Sequence, residues 1–137
     1  MDKKHLIIAT DGGSRGNPGP AAIGILIEEN DKEVFRHGKC IGETTNNVAE
    51  YTAVLEAIKW VKENHPGSKC DFYLDSELIA KQMSGEYKVK EPRLKEIFYK
   101  IRELVIELSG EVSFTHVYRH ENKIADKLVN DALDKKC

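Results

Sequence analysis

The chain has 137 residues, of which 40% are hydrophobic and 32% are charged, and its formal net charge is −2. This length and composition are typical of one globular domain with one hydrophobic core, so we expect residues 1–137 to form a single domain. The net charge excludes a strongly basic protein, although a local basic patch is compatible with it. No hydrophobic run approaches transmembrane length, and the N-terminus lacks the hydrophobic region of a secretory signal. We therefore expect a soluble cytoplasmic protein without a membrane partner.

The first part of the chain predicts three strands. Residues 6–11 are typical of a buried strand, and the glycine- and proline-rich residues 12–20 predict a loop. Alternating isoleucines predict a second strand over residues 22–29. Asn30 and Asp31 indicate a hairpin turn before a third strand over residues 33–41.

A long helix follows, and it carries a carboxylate on its apolar face. We expect Asn46 or Asn47 to cap its N-terminus and Pro66 and Gly67 to end it. The apolar face consists of Val54, Ala57, Ile58 and Val61, and Glu50 lies one turn before it. A carboxylate facing a core is unfavourable unless it is paired or bound to a metal. Two simpler interpretations stay open: a side chain at the stripe edge that reaches solvent, or a first-turn glutamate favoured by the helix dipole.

The rest of the chain predicts two further strands and three helices. In order these are a strand over residues 69–75, a short helix over 76–83 capped by Ser76, a long helix from Pro92 towards Gly110, a strand around Phe114, and a helix capped by Asn122. Closely spaced strands favour antiparallel hairpins, whereas helical crossovers favour parallel pairing. We therefore predict an α/β fold with a mixed five-stranded sheet, three antiparallel strands and then two parallel strands, flanked by helices.

The three cysteines lack the spacing of a metal site. Their odd number and the absence of a signal peptide favour free thiols. We expect Cys40 and Cys70 to be small core residues within strands. For Cys137, both a reactive thiol and a disulfide partner stay open.

Four acidic residues stand near the ends or starts of predicted elements. Asp11 lies near the end of the first strand, Asp75 at the end of the fourth, and Asp126 in the first turn of the last helix. Sites in α/β sheets collect at the carboxyl ends of strands beside crossovers, and Glu50 projects from the intervening helix. If the four converge, their repulsion requires divalent cations, and an all-oxygen ligand set suits Mg²⁺ or Mn²⁺ rather than Zn²⁺. Two such ions roughly 3.5–4 Å apart would suit hydrolysis of a phosphodiester.

The same residues belong to four motifs that together resemble the type 1 ribonuclease H family. The motifs are Thr10-Asp11-Gly12-Gly13-Ser14 with Gly16-Asn17-Pro18-Gly19-Pro20, Thr44-Thr45-Asn46-Asn47 with Glu50, Tyr73-Leu74-Asp75-Ser76, and His120-Glu121-Asn122 with Ala125-Asp126. They occur in family order and at family-like intervals across nearly the whole chain. The resemblance implies a ribonuclease H-like fold. It also implies a metal-dependent endonuclease that cuts the RNA strand of RNA/DNA hybrids and leaves 5′-phosphate and 3′-hydroxyl ends.

The resemblance further implies a role for each motif residue. Two Mg²⁺ or Mn²⁺ ions would be held by Asp11, Glu50, Asp75 and Asp126. His120 would correspond to the mobile histidine that assists water activation or product release. The RNA strand would be contacted by Gly12, Gly13, Ser14 and Asn46, the DNA strand or its backbone by Asn17 and Asn47, and a DNA phosphate by Thr45.

One feature of a well-known bacterial form of this family is missing. That form inserts a long basic, tryptophan-containing protrusion between the short helix and the next long helix, whereas here residues 84–88 lead almost directly to Pro92. The densest basic run consists of Lys81, Lys88, Lys90, Arg93 and Lys95, for which phosphate contact and a solvated helix face both stay open. We therefore expect weaker hybrid binding and a metal preference that leans towards Mn²⁺.

Three other functions fit part of the pattern. A non-catalytic hybrid-binding module is expected to lose at least one carboxylate, and here all four are present. An actin-like phosphotransferase also begins with a strand and an Asp-Gly-Gly turn, but it needs two such domains. Another nuclease of the same broad fold would act on double-stranded RNA or on 3′ ends. We expect an RNA/DNA hybrid as the partner, with double-stranded RNA as a second candidate, and a monomeric protein.

Overall fold

The computed structural model describes residues 4–135, which form a five-stranded sheet with helices on both faces. The strands are β1 (His5–Ser14), β2 (Gly19–Glu29), β3 (Lys32–Thr44), β4 (Lys69–Leu74) and β5 (Val112–His116). The helices are α1 (Asn46–Asn64), α2 (Glu77–Met83), α3 (Pro92–Leu108) and α4 (Lys123–Asp134), and a 3-10 turn (Arg119–Glu121) precedes α4. Within this part of the chain, no helix combines the length and apolarity needed to cross a membrane.

The strand order is β3-β2-β1-β4-β5, and it confirms the predicted mixed sheet. β1 pairs antiparallel with β2, and β2 pairs antiparallel with β3. β4 pairs in parallel with β1 on one side and with β5 on the other. β1 is therefore the strand at which antiparallel pairing changes to parallel pairing, and the carboxyl ends of β1 and β4 lie next to each other.

α1 is buried around most of its circumference because it packs between the sheet and α3. The predicted apolar face is buried, and further buried residues extend it, among them Val48, Ala49, Tyr51, Ala53 and Leu55. The main core cluster joins most of these side chains to inward residues of β1, β2 and β4. The position of α1 over the sheet is thus determined by packing on two sides.

α4 covers the opposite face of the sheet and lies close to β2 and β3. Its apolar residues form a second cluster with β2, consisting of Ala22, Val129, Ala132 and Leu133. A Cβ atom placed on Gly24 of β2 would lie 2.3 Å from the carbonyl oxygen of Ala125. The glycine therefore allows the helix backbone to approach the strand more closely than any side chain would permit.

The predicted loop over residues 12–20 is wrong in extent. Gly12, Gly13 and Ser14 continue β1 and pair with β2, which already begins at Gly19. The glycines indicate a turn when only the sequence is considered, but Gly12 is needed for close packing of α1 against the strand. A Cβ atom on Gly12 would lie 2.3 Å from the carbonyl carbon of Ala49, because α1 passes over the strand in backbone contact.

The N-terminal cap of α1 also differs from the prediction. Thr45 is the cap, and its Oγ1 accepts a hydrogen bond of 3.2 Å from the backbone N–H of Val48. Asn46 and Asn47 are the first two residues of the helix. A threonine in extended conformation can satisfy a first-turn N–H as an asparagine does, so the sequence did not discriminate between neighbouring candidates. Ser76 caps α2 as predicted.

The cysteines only partly agree with the expectation. Cys70 is a free and buried thiol, and burial raises its pKa to about 12. Cys40 is exposed and disulfide-bonded, so the expectation of a free core thiol is wrong at this position. Cys40 lies on β3, an edge strand whose residues are largely exposed. Cys137 lies outside the described residues.

The close contact at Gly12 predicts that the stability of the fold depends strongly on the absence of a side chain at this position. Gly12→Ala is expected to lower the thermal midpoint by about 5 °C or more, because its Cβ would overlap backbone atoms that move only with α1. Gly13→Ala is the matched control, since its Cβ would have its nearest neighbour, Val129 Cγ1, at 3.8 Å. Melting curves followed by circular dichroism compare the two variants. Equal midpoints would show that α1 is not constrained at this point.

Candidate active site

Three carboxylates from three elements converge at the carboxyl ends of β1 and β4. Asp11 belongs to β1, Asp75 directly follows β4 and Glu50 projects from α1. One carboxylate oxygen of each lies within 4.8 Å of the others. The parallel register pairs Thr10 with Leu74, so the two aspartates that follow are neighbours across the strands. We call these three residues the carboxylate cluster.

Glu50 reaches the carboxylate cluster because α1 lies against Gly12. The interpretation of Glu50 as a first-turn glutamate is wrong. The residue is beyond the first turn of α1, which contains no acidic residue, so the helix dipole does not account for it. Its Oε2 atom is buried and has no hydrogen-bond partner among the described residues, so the carboxylate does not reach solvent through that atom.

Burial and mutual repulsion raise the pKa values of Asp11 and Glu50. For Asp11, burial is the largest cause, followed by the negative charges of Asp75 and Asp126, and its pKa rises to about 7. For Glu50, burial again comes first, followed by the charges of Asp11 and Asp75, and its pKa lies well above the usual value. At neutral pH the cluster therefore favours either a bound proton or a bound cation.

Arg119 lies beside the carboxylate cluster and was missed by the sequence analysis. Burial raises the pKa of Asp75, and the guanidinium of Arg119 is the strongest opposing influence. Arg119 belongs to the 3-10 turn and lines the same cavity as the cluster. Its position directly before His120 in the fourth motif was the available signal.

Asn122 holds this turn against the sheet. It is the N-cap residue of α4, as predicted, but its side chain makes no capping hydrogen bond. Its Nδ2 instead donates a hydrogen bond of 3.0 Å to the carbonyl oxygen of Thr10, and the amide also lowers the pKa of Asp75 after burial and Arg119. Asn122 is therefore a positioning residue for the ends of β1 and β4.

The carboxylate cluster lies in an open cavity of about 490 Å³. Of the residues predicted to contact RNA, all four line this cavity: Gly12, Gly13, Ser14 and Asn46. Asp126, from the first turn of α4, also lines it, although it lies outside the group of three with metal-ligand spacing. All four predicted metal ligands thus line one cavity.

Two asparagines organise the mouth of the cavity. Asn46 Oδ1 accepts hydrogen bonds from the backbone N–H of Ser14, at 2.8 Å, and from its hydroxyl, at 3.2 Å. Asn17 Oδ1 accepts a hydrogen bond of 3.0 Å from the backbone N–H of Asn46. Because both side-chain carbonyl oxygens accept, each side-chain NH₂ is the group available to a ligand. Asn17, Thr45 and Asn47 are not among the residues that line the cavity.

His120 does not line the cavity of the carboxylate cluster. It is exposed and lines a second cavity of about 510 Å³. Its ring stacks on Tyr118 with a centroid distance of 5.9 Å and an interplanar angle of 6°. Of the two adjacent residues, it is therefore Arg119 that lines the cavity of the carboxylates.

The donor atoms of the cluster fit a hard divalent cation. Glu50 Oε2 and Asp75 Oδ2 are buried oxygens without a hydrogen-bond partner in the described part of the chain. Such atoms carry a free-energy penalty unless a ligand satisfies them. A cation held by carboxylate oxygens would satisfy both atoms and neutralise the repulsion that raises the pKa values.

The mixed sheet with this strand order, and an acidic cavity where antiparallel pairing changes to parallel pairing, define a ribonuclease H-like domain. A family model described as "Reverse transcriptase-like" matches residues 9–132. The structure is similar to that of LC11-RNase H1 in complex with an RNA/DNA hybrid, with a TM-score of 0.90 and 46% identity over 95% of this chain and 97% of that chain. The chain belongs to the type 1 ribonuclease H family.

Two curated relatives of this chain are longer. Ribonuclease HI of Halobacterium salinarum is 39% identical over 125 residues, which cover 90% of this chain and 62% of that protein. The bifunctional protein Rv2228c of Mycobacterium tuberculosis is 37% identical over 135 residues, which cover 94% of this chain and 35% of that protein. The chain therefore spans between about a third and three fifths of the length of these relatives.

The raised pKa values predict that the ionised cluster destabilises the metal-free fold. At low pH the carboxyl groups are protonated in both the folded and the unfolded state. As the pH rises, the unfolded state releases its protons first, because the pKa of Asp11 in the folded state is about 7. The free energy of unfolding therefore falls as the pH rises towards that value. Glu50→Gln is therefore expected to raise the thermal midpoint at pH 8 by about 3 °C or more, with a smaller effect at pH 5.

This experiment uses chelator-treated protein and Glu63→Gln as the control, since Glu63 is exposed near the end of α1. The control is expected to show no such pH-dependent gain. A lower midpoint for Glu50→Gln at pH 8, or an equal change at both pH values, would contradict repulsion within the cluster.

Proposed function

We propose that the chain is a divalent-metal-dependent endonuclease that hydrolyses the RNA strand of RNA/DNA hybrids and leaves 5′-phosphate and 3′-hydroxyl ends. The observation that carries this proposal is the convergence of Asp11, Glu50 and Asp75 within 4.8 Å in an open cavity. A second support is the similarity to LC11-RNase H1, which was solved in complex with an RNA/DNA hybrid.

The proposed cofactor is a pair of Mg²⁺ or Mn²⁺ ions held by Asp11, Glu50, Asp75 and Asp126. When bound, such ions polarise the scissile phosphate and activate the attacking water. The cluster contains neither thiolate nor imidazole, so its donor set suits these hard cations better than Zn²⁺. Asn122 would keep the ends of β1 and β4 in place through its hydrogen bond to the Thr10 carbonyl and its interaction with Asp75.

Recognition of the hybrid would come from donors around the cavity mouth. RNA is read through 2′-hydroxyls in a wide, shallow minor groove, which short polar groups can approach. The side-chain NH₂ groups of Asn17 and Asn46 are available for this role because their oxygens already accept hydrogen bonds. The hydroxyl of Thr45 accepts the capping bond and retains its proton for a DNA phosphate. Asn47, exposed in the first turn of α1, would contact the DNA strand.

The 3-10 turn would supply the positive charge of the site. Arg119 lines the cavity, and a guanidinium is suited to binding a phosphate group. His120 would assist proton transfer or product release after its ring leaves Tyr118, since it now lines the second cavity. Gly12 would act mainly through packing, because the space beside its Cα is taken by the backbone of α1.

The proposal is tested by cleavage of an end-labelled RNA/DNA hybrid with Mg²⁺ or Mn²⁺, beside double-stranded RNA and double-stranded DNA. We expect cutting of the RNA strand of the hybrid only with metal, and a loss of at least about 100-fold in Asp11→Asn and Glu50→Gln. Glu63→Gln is the control and is expected to cleave as the unmodified protein does.

Four outcomes would contradict the proposal. Cleavage without metal, or undiminished cleavage by Glu50→Gln, would remove the cluster from the chemistry. Tight hybrid binding without cutting in either metal would indicate a hybrid-binding module. Preferential cutting of double-stranded RNA would indicate the related nuclease class, since readout of 2′-hydroxyls on one strand predicts hybrid preference.

A further inference from the structure

Three aromatic side chains form a row beside the carboxylate cavity. The ring of Tyr118 lies 5.7 Å from that of His116, at an interplanar angle of 69°, and 5.9 Å from that of His120, at 6°. Tyr118 is 68% exposed, although it is a large aromatic residue. We call these three residues the aromatic row.

The backbone under the aromatic row is held in place. The backbone N–H of Tyr118 donates a hydrogen bond of 3.1 Å to Glu121 Oε1, and the Glu121 N–H donates one of 2.8 Å to the Tyr118 carbonyl. Asn122, which is 2% exposed, anchors the end of the same turn to Thr10. An exposed ring on a fixed backbone loses little conformational freedom when a planar partner covers it, so it is suited to binding one.

The aromatic row adjoins the second cavity through His120, and Arg119, which precedes His120 in the chain, lines the carboxylate cavity. Tyr73 and Val117 line the second cavity together with His120. The walls of the second cavity are mainly apolar, and at about 510 Å³ it has the size of a small-molecule site. A nucleic-acid strand that leaves the first cavity past Arg119 would meet the rings of the row and then this second cavity.

We propose that the aromatic row and the second cavity bind an unpaired nucleotide of the substrate, so that a hybrid with a single-stranded extension binds more tightly than a blunt one. This inference rests on the proposed function. The rings of Tyr118 and His120 form a parallel stacked pair, and a base can stack on an outer face of such a pair. Bases stack on such rings with little dependence on sequence, since every base has a π-face.

The charges around the second cavity favour a base rather than a phosphate as the group that enters. Glu28 and Glu121 both line it and would repel a phosphate. Lys123, on the same wall, and Arg119, on the wall of the first cavity, would bind the flanking phosphates. The nucleotide would thus place its base against the rings and keep its backbone near the cations.

The test measures binding by fluorescence anisotropy in the Asp11→Asn background, which prevents cleavage. Probes are a short blunt hybrid and the same hybrid with a few unpaired nucleotides at each strand end in turn. We expect an extension at one end to lower Kd by about fivefold or more, Tyr118→Ala to abolish that gain, and Tyr118→Trp to keep it. Tyr99→Ala is the matched control, since Tyr99 is 65% exposed on α3, and it is expected to keep the gain.

Equal Kd values for blunt and extended hybrids at every end would overturn the inference, and so would a gain that survives Tyr118→Ala. Cleavage of the blunt hybrid by the unmodified protein, measured in parallel, tests the proposed function separately. If that cleavage fails while the extension still tightens binding through Tyr118, the nuclease proposal is overturned and the nucleotide site stands.

Discussion

The whole site depends on how closely two helices approach the paired strands β1 and β2 from opposite faces. On one face α1 lies against Gly12, the residue after Asp11, and it carries Glu50. On the other face α4 lies against Gly24, the residue paired with Asp11 on β2, through the carbonyl of Ala125, which precedes Asp126. The absence of two side chains beside Asp11 thus allows two helices to bring carboxylates towards it. A larger residue at either glycine would separate the helix from the strand and the carboxylates from each other.

This arrangement concentrates negative charge where the fold provides little compensation. Burial and repulsion raise the pKa values of Asp11, Glu50 and Asp75, and two buried carboxylate oxygens have no partner among the described residues. The packing of α1 between the sheet and α3 supplies the stability that holds the cluster together despite this repulsion. Arg119 offsets part of the charge on Asp75. A cluster that is unfavourable alone and favourable with a cation is what a metal-dependent site requires.

The sequence was sufficient to predict the sheet topology, because strand periodicity and helix stop signals agree with one another. The order of the four motifs supported convergence of the four acidic residues only as a hypothesis. The sequence was insufficient wherever tertiary packing overrides local preference. Gly12 and Gly13 indicate a turn locally but extend β1, since helix contact makes a glycine necessary in the strand. Arg119 and His120 are adjacent in the chain, and only the geometry of the 3-10 turn decides which of them lines the carboxylate cavity. Neither a helical nor a strand period describes so short a turn.

The most direct test of the account is the position of a bound metal ion in crystals grown with Mn²⁺ near pH 8, located by anomalous scattering. We expect an anomalous peak within coordination distance of carboxylate oxygens from Asp11, Glu50 and Asp75, and no such peak in crystals of Glu50→Gln grown in the same way. A peak at a different place, or a peak of equal height without the Glu50 carboxylate, would contradict the claim that α1 delivers a metal ligand to the end of β1.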